Sequence, residues 1–322
     1  MMLLAHLFFS DKPDIRWDLC SQMGIRTAVA KLSPELTLRA PVWDFESLKM
    51  AKEHFENMGF SLQALEGDQF DMTRIKLGLP GWKDDIRLYC RMLENMGRLS
   101  IHTLCYNFMH TGWTRTRADI RERGGALVTG FSLEEAALLP LSPHSPVSGE
   151  RIWKSYERFI AEVIPAAEYA GVRMALHPDD PPVGQLQGIS RIFISPEAID
   201  RALSLSSSIC HGLTFCQGTL VTMGADIKQC FLRWRDRIPF IHIRDVAGTA
   251  ENFHETFHDD GPSDIPEMLR FYRDNGYGGL VRSDHTPAMA GDENSTPGYN
   301  TTGAVFGTGY LMGIMDTLKT GR

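Results

Sequence analysis

Eight short apolar runs alternate along the chain with stretches of helical period, and this alternation restricts the fold more than any other feature of the sequence. The runs are 3–9 (LLAHLFF), 26–32 (RTAVAKL), 60–65 (FSLQAL), 101–106 (IHTLCY), 172–177 (VRMALH), 212–216 (GLTFC), 239–244 (PFIHIR) and 279–284 (GLVRSD). Helical period covers 44–58, 82–97, 150–170, 195–207, 222–236, 264–275 and 303–318. Eight strands, each but the first followed by a helical stretch, predict an α/β fold in which parallel strands close into a (β/α)8 TIM barrel. Gly171 and Gly276 stand just past two of the helices, where C-terminal stops are expected. A doubly wound, two-domain chain is the runner-up, but no Pro/Gly/Ser-rich linker divides the sequence and GxGxxG is absent. Residues 1–322 are therefore read as one barrel domain. Its long non-periodic stretches, 107–149 and 245–262, are insertions after strands four and seven that should cover a pocket.

Composition narrows the function classes. At 43% hydrophobic residues the chain has enough apolar surface for a large core, which excludes disorder as its main state. A formal charge of -7 without a basic stripe argues against nucleic acid and acidic lipid as partners. No apolar stretch approaches the roughly 18 residues of a membrane helix, and the opening MMLLAHLFFS reads as a first strand rather than a signal peptide. Six scattered cysteines without a CxxC pair suggest a reducing, cytoplasmic setting. The partner expected is a small molecule, with self-association into a homo-oligomer left open.

In such a barrel, catalytic groups sit at the C-terminal ends of the strands. Four consecutive strands end in ligand-type residues: His177, Cys216, His242 and Asp284. Taken singly, a strand-end cysteine is usually core and a strand-end histidine usually caps a carbonyl. Together, two imidazoles, a thiolate and a carboxylate would bind a divalent cation with no net charge and leave positions open for substrate. Arg244 shares a strand face with His242, and Arg282 with Asp284. Two arginines beside a cation suggest an anionic substrate gripped through its carboxylate.

The stretch His254-Glu-Thr-Phe-His258 fits the H-E-x-x-H pattern of zinc proteases, which requires a helix. Asp259-Asp-Gly-Pro262 follows at once, so only a short turn can form, and the protease reading is set aside. His254 or His258 can instead reach substrate or metal over the mouth.

At these residues the sequence resembles the mannonate dehydratase family, sugar-acid dehydratases built on the xylose-isomerase-like TIM barrel. The resemblance rests on Cys105-Tyr-Asn-Phe-Met109, Trp113-Thr-Arg-Thr116, Ala170 to Pro182 with its HPDDPP segment, Phe215-Cys-Gln-Gly218, His242-Ile-Arg244, Phe253-His-Glu255 with His258, Arg282-Ser-Asp-His285 and Pro297-Gly-Tyr299. It implies a Mn²⁺ or Fe²⁺ site on His177, Cys216, His242 and Asp284, with His285 and Tyr299 as the proton-transfer pair. Substrate contacts are expected from Arg244, Arg282, Asn107, Asp179 and His258. The implied reaction converts D-mannonate to 2-keto-3-deoxy-D-gluconate and water; an isomerase or epimerase using the same metal, and a catalytically silent sugar-acid-binding protein, are the alternatives. Departures lie in the N-terminal quarter, in a shortened insertion between strands four and five, and in Thr286-Pro-Ala-Met289 after the pair.

Overall fold

In the computed structural model, which describes residues 2–320, the eight apolar runs are the eight parallel strands of a closed barrel, each within two residues of the expected limits. They are β1 (Leu3–Phe9), β2 (Thr27–Lys31), β3 (Ser61–Glu66), β4 (Thr103–Tyr106), β5 (Arg173–Leu176), β6 (His211–Cys216), β7 (Phe240–Ile243) and β8 (Leu280–Ser283). Each strand pairs with its sequence neighbours, and Leu3 opposite Leu280 closes the ring. The fold is a TIM barrel. Register carries the chemistry: Cys216 lies opposite His242 across the β6–β7 pair, and His242 opposite Arg282 across β7–β8.

Ala5, Leu7, Val29, Ala64, Cys105, Phe240 and Leu280 fill the barrel interior below the mouth, so the barrel is a packed plug rather than a pore. Outside it, helices such as Gly149–Ala170 bury an apolar stripe against the strands. Two helical expectations need correction. The segment 222–236 is broken, because Gly224 adopts a φ of 70° and Asp226 caps a new helix; the pieces are Gln217–Thr222 and Ile227–Trp234. Ile15–Gln22 is a helix that periodicity misses, since only Trp17 and Cys20 are buried in it.

The two insertions pair with each other. Arg117–Arg121 and Leu127–Ser132, after β4, join Val246–Thr249 and Asn252–Glu255, after β7, in one four-stranded antiparallel sheet over the mouth. Leu133–Ala136, directly after the second of these strands, forms one helical turn.

A buried polar chain links the strands to the helix Gly149–Ala170: the Tyr106 hydroxyl lies 3.0 Å from that of Tyr156, which lies 3.1 Å from His211 Nε2. Burial, reinforced by Arg237, pushes the His211 pKa down to about 4. The unfolded chain takes up this proton below about pH 6.5, the folded chain only near 4, so stability falls as pH drops through that window. The linked loss approaches about 3 kcal/mol. Replacing His211 by leucine should make the decline of the urea midpoint between pH 7 and 4 shallower; an unchanged slope would count against the assignment.

Candidate active site

One ligand atom from each of His177, Cys216, His242 and Asp284 comes within 4.8 Å of the others at the C-terminal mouth. His177 follows β5 directly, Cys216 ends β6, His242 sits one residue before the end of β7, and Asp284 follows β8. His177 Nδ1 lies 2.7 Å from the Pro178 carbonyl and donates to it, which turns Nε2 toward the cluster. Burial pushes the Cys216 thiol up, but Arg244 and His177 outweigh it and hold the thiol well below its usual range as a thiolate. Burial alone would depress His177, yet the same thiolate keeps it at about 9, so the pair holds a proton that a cation would displace. Asp284, likewise buried, is kept well below the carboxylate range by Arg282, His285 and His242. His242 Nε2 is buried without a hydrogen-bond partner, its nearest acid being Glu66 Oε2 at 3.5 Å, while Nδ1 lies 3.7 Å from Asp284. Two negative donors, two imidazoles and this unpartnered nitrogen fit a divalent cation.

His285 and Tyr299 stand at the edge of the cluster. His285 has a φ of 38°, in the left-handed region, so the backbone is strained where the ring turns to the mouth. Its Nε2 lies 3.0 Å from the Tyr299 hydroxyl, which in turn lies 3.5 Å from Asp284 Oδ1. Trp113 packs against both rings, at 4.7 Å from His285 and 6.0 Å from Tyr299. Burial and Asp284 push the tyrosine pKa well above its ordinary value, so Tyr299 carries its proton at neutral pH.

Behind His285 lies a buried network that the sequence reading did not assign. Glu255 Oε1 accepts from Arg115 Nη2 at 2.6 Å and Arg244 Nη1 at 2.9 Å, and lies 3.0 Å from His285 Nδ1. Asp180 takes Arg115 in a two-pronged grip at 2.9 and 3.0 Å and lies 2.8 Å from Arg244. Glu255 belongs to the H-E-x-x-H stretch, which runs as a strand instead of a helix. Alternate residues therefore face opposite ways: Glu255 turns inward, while His254 turns out to Glu122 at 3.1 Å. The protease geometry does not form.

Some sequence-predicted contacts are not brought to the mouth. A cavity of about 280 Å³ opens beside the cluster, lined among others by Asn107, Arg282, His285 and Tyr299 but not by Arg244, Asp179 or His258. Arg244 is fully buried beneath it, engaged with Glu255, Asp180 and Thr219. Asp179 is buried because its Oδ2 accepts from the backbone of Ile192 and Phe193, holding a loop. His258 packs under the rim, with Nε2 at 3.0 Å from the Ile243 carbonyl. Arg282 does line the cavity, yet its fork grips Glu66 and its Nη1 donates to Asp284 and to the Ser283 carbonyl, so it offers no free fork to a carboxylate. Burial would raise Glu66, but Arg282 and His242 hold it down at about 2. Glu66 was within reach of sequence reasoning, since β3 runs one residue past the apolar run.

Gly218 explains how Arg244 fits. A Cβ there would lie 2.5 Å from Arg244 Cγ and Nε. Gly218→Ala should shift the guanidinium and lower turnover roughly tenfold or more, at a stability cost of about 1–3 kcal/mol. Kinetics with a thermal melt checks this; unchanged turnover would mean that Arg244 does not hold the site. On the opposite face a larger hollow of about 630 Å³ surrounds Gly276–Gly279, but no metal-ligand cluster lies there among the described residues.

Comparison with known proteins points to one family. The sequence profile of D-mannonate dehydratase (UxuA) matches residues 2–138 and 139–322. A mannonate dehydratase of Shouchella clausii is 33% identical over 314 residues, covering 86% of this chain and 87% of that protein. Mannonate dehydratase 1 of Bacillus licheniformis is 32% identical over 315 residues, covering 86% and 85%. The crystal structure of mannonate dehydratase from Streptococcus suis serotype 2 superposes with a TM-score of 0.89 at 28% identity, over 100% of this chain and 97% of that one. The chain belongs to the D-mannonate dehydratase family and is a hydro-lyase acting on a sugar acid.

Proposed function

We propose that this chain dehydrates D-mannonate to 2-keto-3-deoxy-D-gluconate with a divalent cation, Mn²⁺ or Fe²⁺, held by His177, Cys216, His242 and Asp284. The observation that carries the reading is the placement of the His285–Tyr299 pair, 3.0 Å apart, at the edge of a four-ligand cluster. The preference for Mn²⁺ or Fe²⁺ comes from the family, because a thiolate donor by itself favours zinc. When bound, the cation supplies Lewis-acid stabilisation of the charge that develops on the substrate carboxylate.

The chain's own groups handle the protons. Dehydration removes the hydrogen on C2 and the hydroxyl on C3, and the resulting enol becomes the 2-keto acid. One proton must leave carbon and one must reach the departing oxygen. The His285 imidazole faces Tyr299 through Nε2 and suits proton acceptance, whereas Tyr299 retains its proton and suits donation. Glu255 Oε1 accepts from His285 Nδ1, which leaves Nε2 as the acceptor facing Tyr299, and Arg244 in turn holds Glu255. Trp113 packs against both rings, which limits bulk water at the pair.

The test is a screen of aldonic and uronic acids with purified chain and Mn²⁺ or Fe²⁺, detecting 2-keto-3-deoxy acids. D-mannonate should be consumed with release of water and the 2-keto-3-deoxy product. A product of unchanged composition would mean epimerisation and overturn the proposal.

A further inference from the structure

The half of the mouth facing the ligand cluster contains a buried lysine that the proposed chemistry does not use. In the closed order of the barrel, β2, β3 and β4 stand across from β6, β7 and β8. Lys76, in the short helix Thr73–Leu77 that follows β3, is 1% exposed. Burying a lysine is costly unless each of its three hydrogens meets an acceptor. Here they do: Nζ donates to Asp68 Oδ2 at 2.5 Å, Asn107 Oδ1 at 2.9 Å and the Met109 carbonyl at 3.0 Å.

This arrangement fixes the Asn107 amide. Its Oδ1 accepts from Lys76 Nζ and also from the Met109 backbone at 3.1 Å. Both partners can only donate, so the atom facing them must be the oxygen, and the amide NH₂ is left for the cavity that Asn107 lines. Asp68 lines the same cavity and is held through one oxygen by Lys76, leaving the other as an acceptor. A donor and an acceptor thus stand side by side across from the metal-ligand cluster. A polyol chain, whose hydroxyls accept and donate, complements that pair.

We infer that Asp68 and Asn107 read the hydroxyls at the end of the sugar acid remote from its carboxylate, and that Lys76 is the buried positioning residue that sets both. This deepens the dehydratase reading and rests on it for the direction in which the substrate lies. Lys76 touches no substrate; it acts by denying the Asn107 amide its flipped orientation and by fixing the Asp68 carboxylate. The substrate class follows: polyhydroxy acids of five or six carbons with free distal hydroxyls, in preference to four-carbon acids that stop short of the wall.

The experiment compares kcat/KM for D-mannonate and for a four-carbon 2,3,4-trihydroxy acid in the parent, Asn107→Leu, Asp68→Asn and Lys76→Met, with the divalent cation supplied. The parent should favour the six-carbon acid strongly, since a site built around hydroxyls rejects analogues lacking them. Each variant should lose at least roughly tenfold of that preference, mainly through KM for the long acid, as expected for lost hydrogen bonds. A residue that only supported the fold would lower both substrates together and leave the ratio intact. If Lys76→Met fails to fold, the two wall variants decide. An unchanged ratio in both Asn107→Leu and Asp68→Asn overturns the inference. Calorimetric binding of the same two acids repeats the comparison without turnover, so loss of the dehydratase reading and loss of the wall are separate results.

Discussion

Replacing Cys216 by alanine should lower turnover by on the order of 10³-fold and reduce bound metal, while the barrel stays folded. The thiolate is one of two negative donors in the cluster, and its loss leaves a divalent cation with Asp284 and two imidazoles. Arg244, still paired with Asp180 and Glu255, would then face a cluster with one negative charge fewer, which further weakens cation binding. The fold should survive because Cys216 is small, and its removal vacates little volume next to Thr219, whose hydroxyl donates to the sulfur at 3.1 Å. Chelation of the parent should abolish turnover and added Mn²⁺ or Fe²⁺ should restore it. Metal content by mass spectrometry alongside kinetics is the check. An alanine variant that keeps both parental metal and parental turnover would remove Cys216 from the ligand set.

How far the sequence exposes this site follows from which relations are local. The strands were legible because a barrel strand is a short apolar run between turns, and the ligands because each stands at the end of such a run. Register then brought Cys216, His242 and Arg282 abreast. What stayed hidden depends on closure of the ring. The Arg282–Glu66 pair joins residues 216 positions apart, and nothing in either strand foretells that the arginine fork is already engaged. Asp180 and Asp179 are adjacent acids with opposite fates. One side chain meets Arg115 and Arg244, the other turns back to cap Ile192 and Phe193, and the difference is set by a loop without periodicity. Glu255 was visible within a motif whose usual meaning requires a helix and within a stretch of the family resemblance, but neither gave it a role. The insertion sheet converts that motif into a strand because its partner, Leu127–Ser132, comes from the other insertion.

Replacing His285 by asparagine should lower turnover roughly 10²–10⁴-fold, the range for a lost general acid or base, with metal content nearly unchanged. The selectivity follows from position. His285 neighbours the ligand Asp284 but lies outside the four-residue cluster, and its Nε2 faces Tyr299. Tyr299→Phe removes only a hydroxyl from a ring that packs edge-on against Phe9 at 5.0 Å, so the fold should persist while turnover falls roughly tenfold or more. Washout of the C2 proton into deuterated solvent separates the two roles. If His285 accepts that proton, exchange must vanish in His285→Asn but can persist in Tyr299→Phe, where abstraction remains and protonation of the departing oxygen is impaired. Exchange and turnover that both survive in the His285 variant would take this residue out of the proton pathway. His258 could not replace it, since its ring is fixed beneath the rim by the Ile243 carbonyl and the Ser283 hydroxyl, each at 3.0 Å from Nε2.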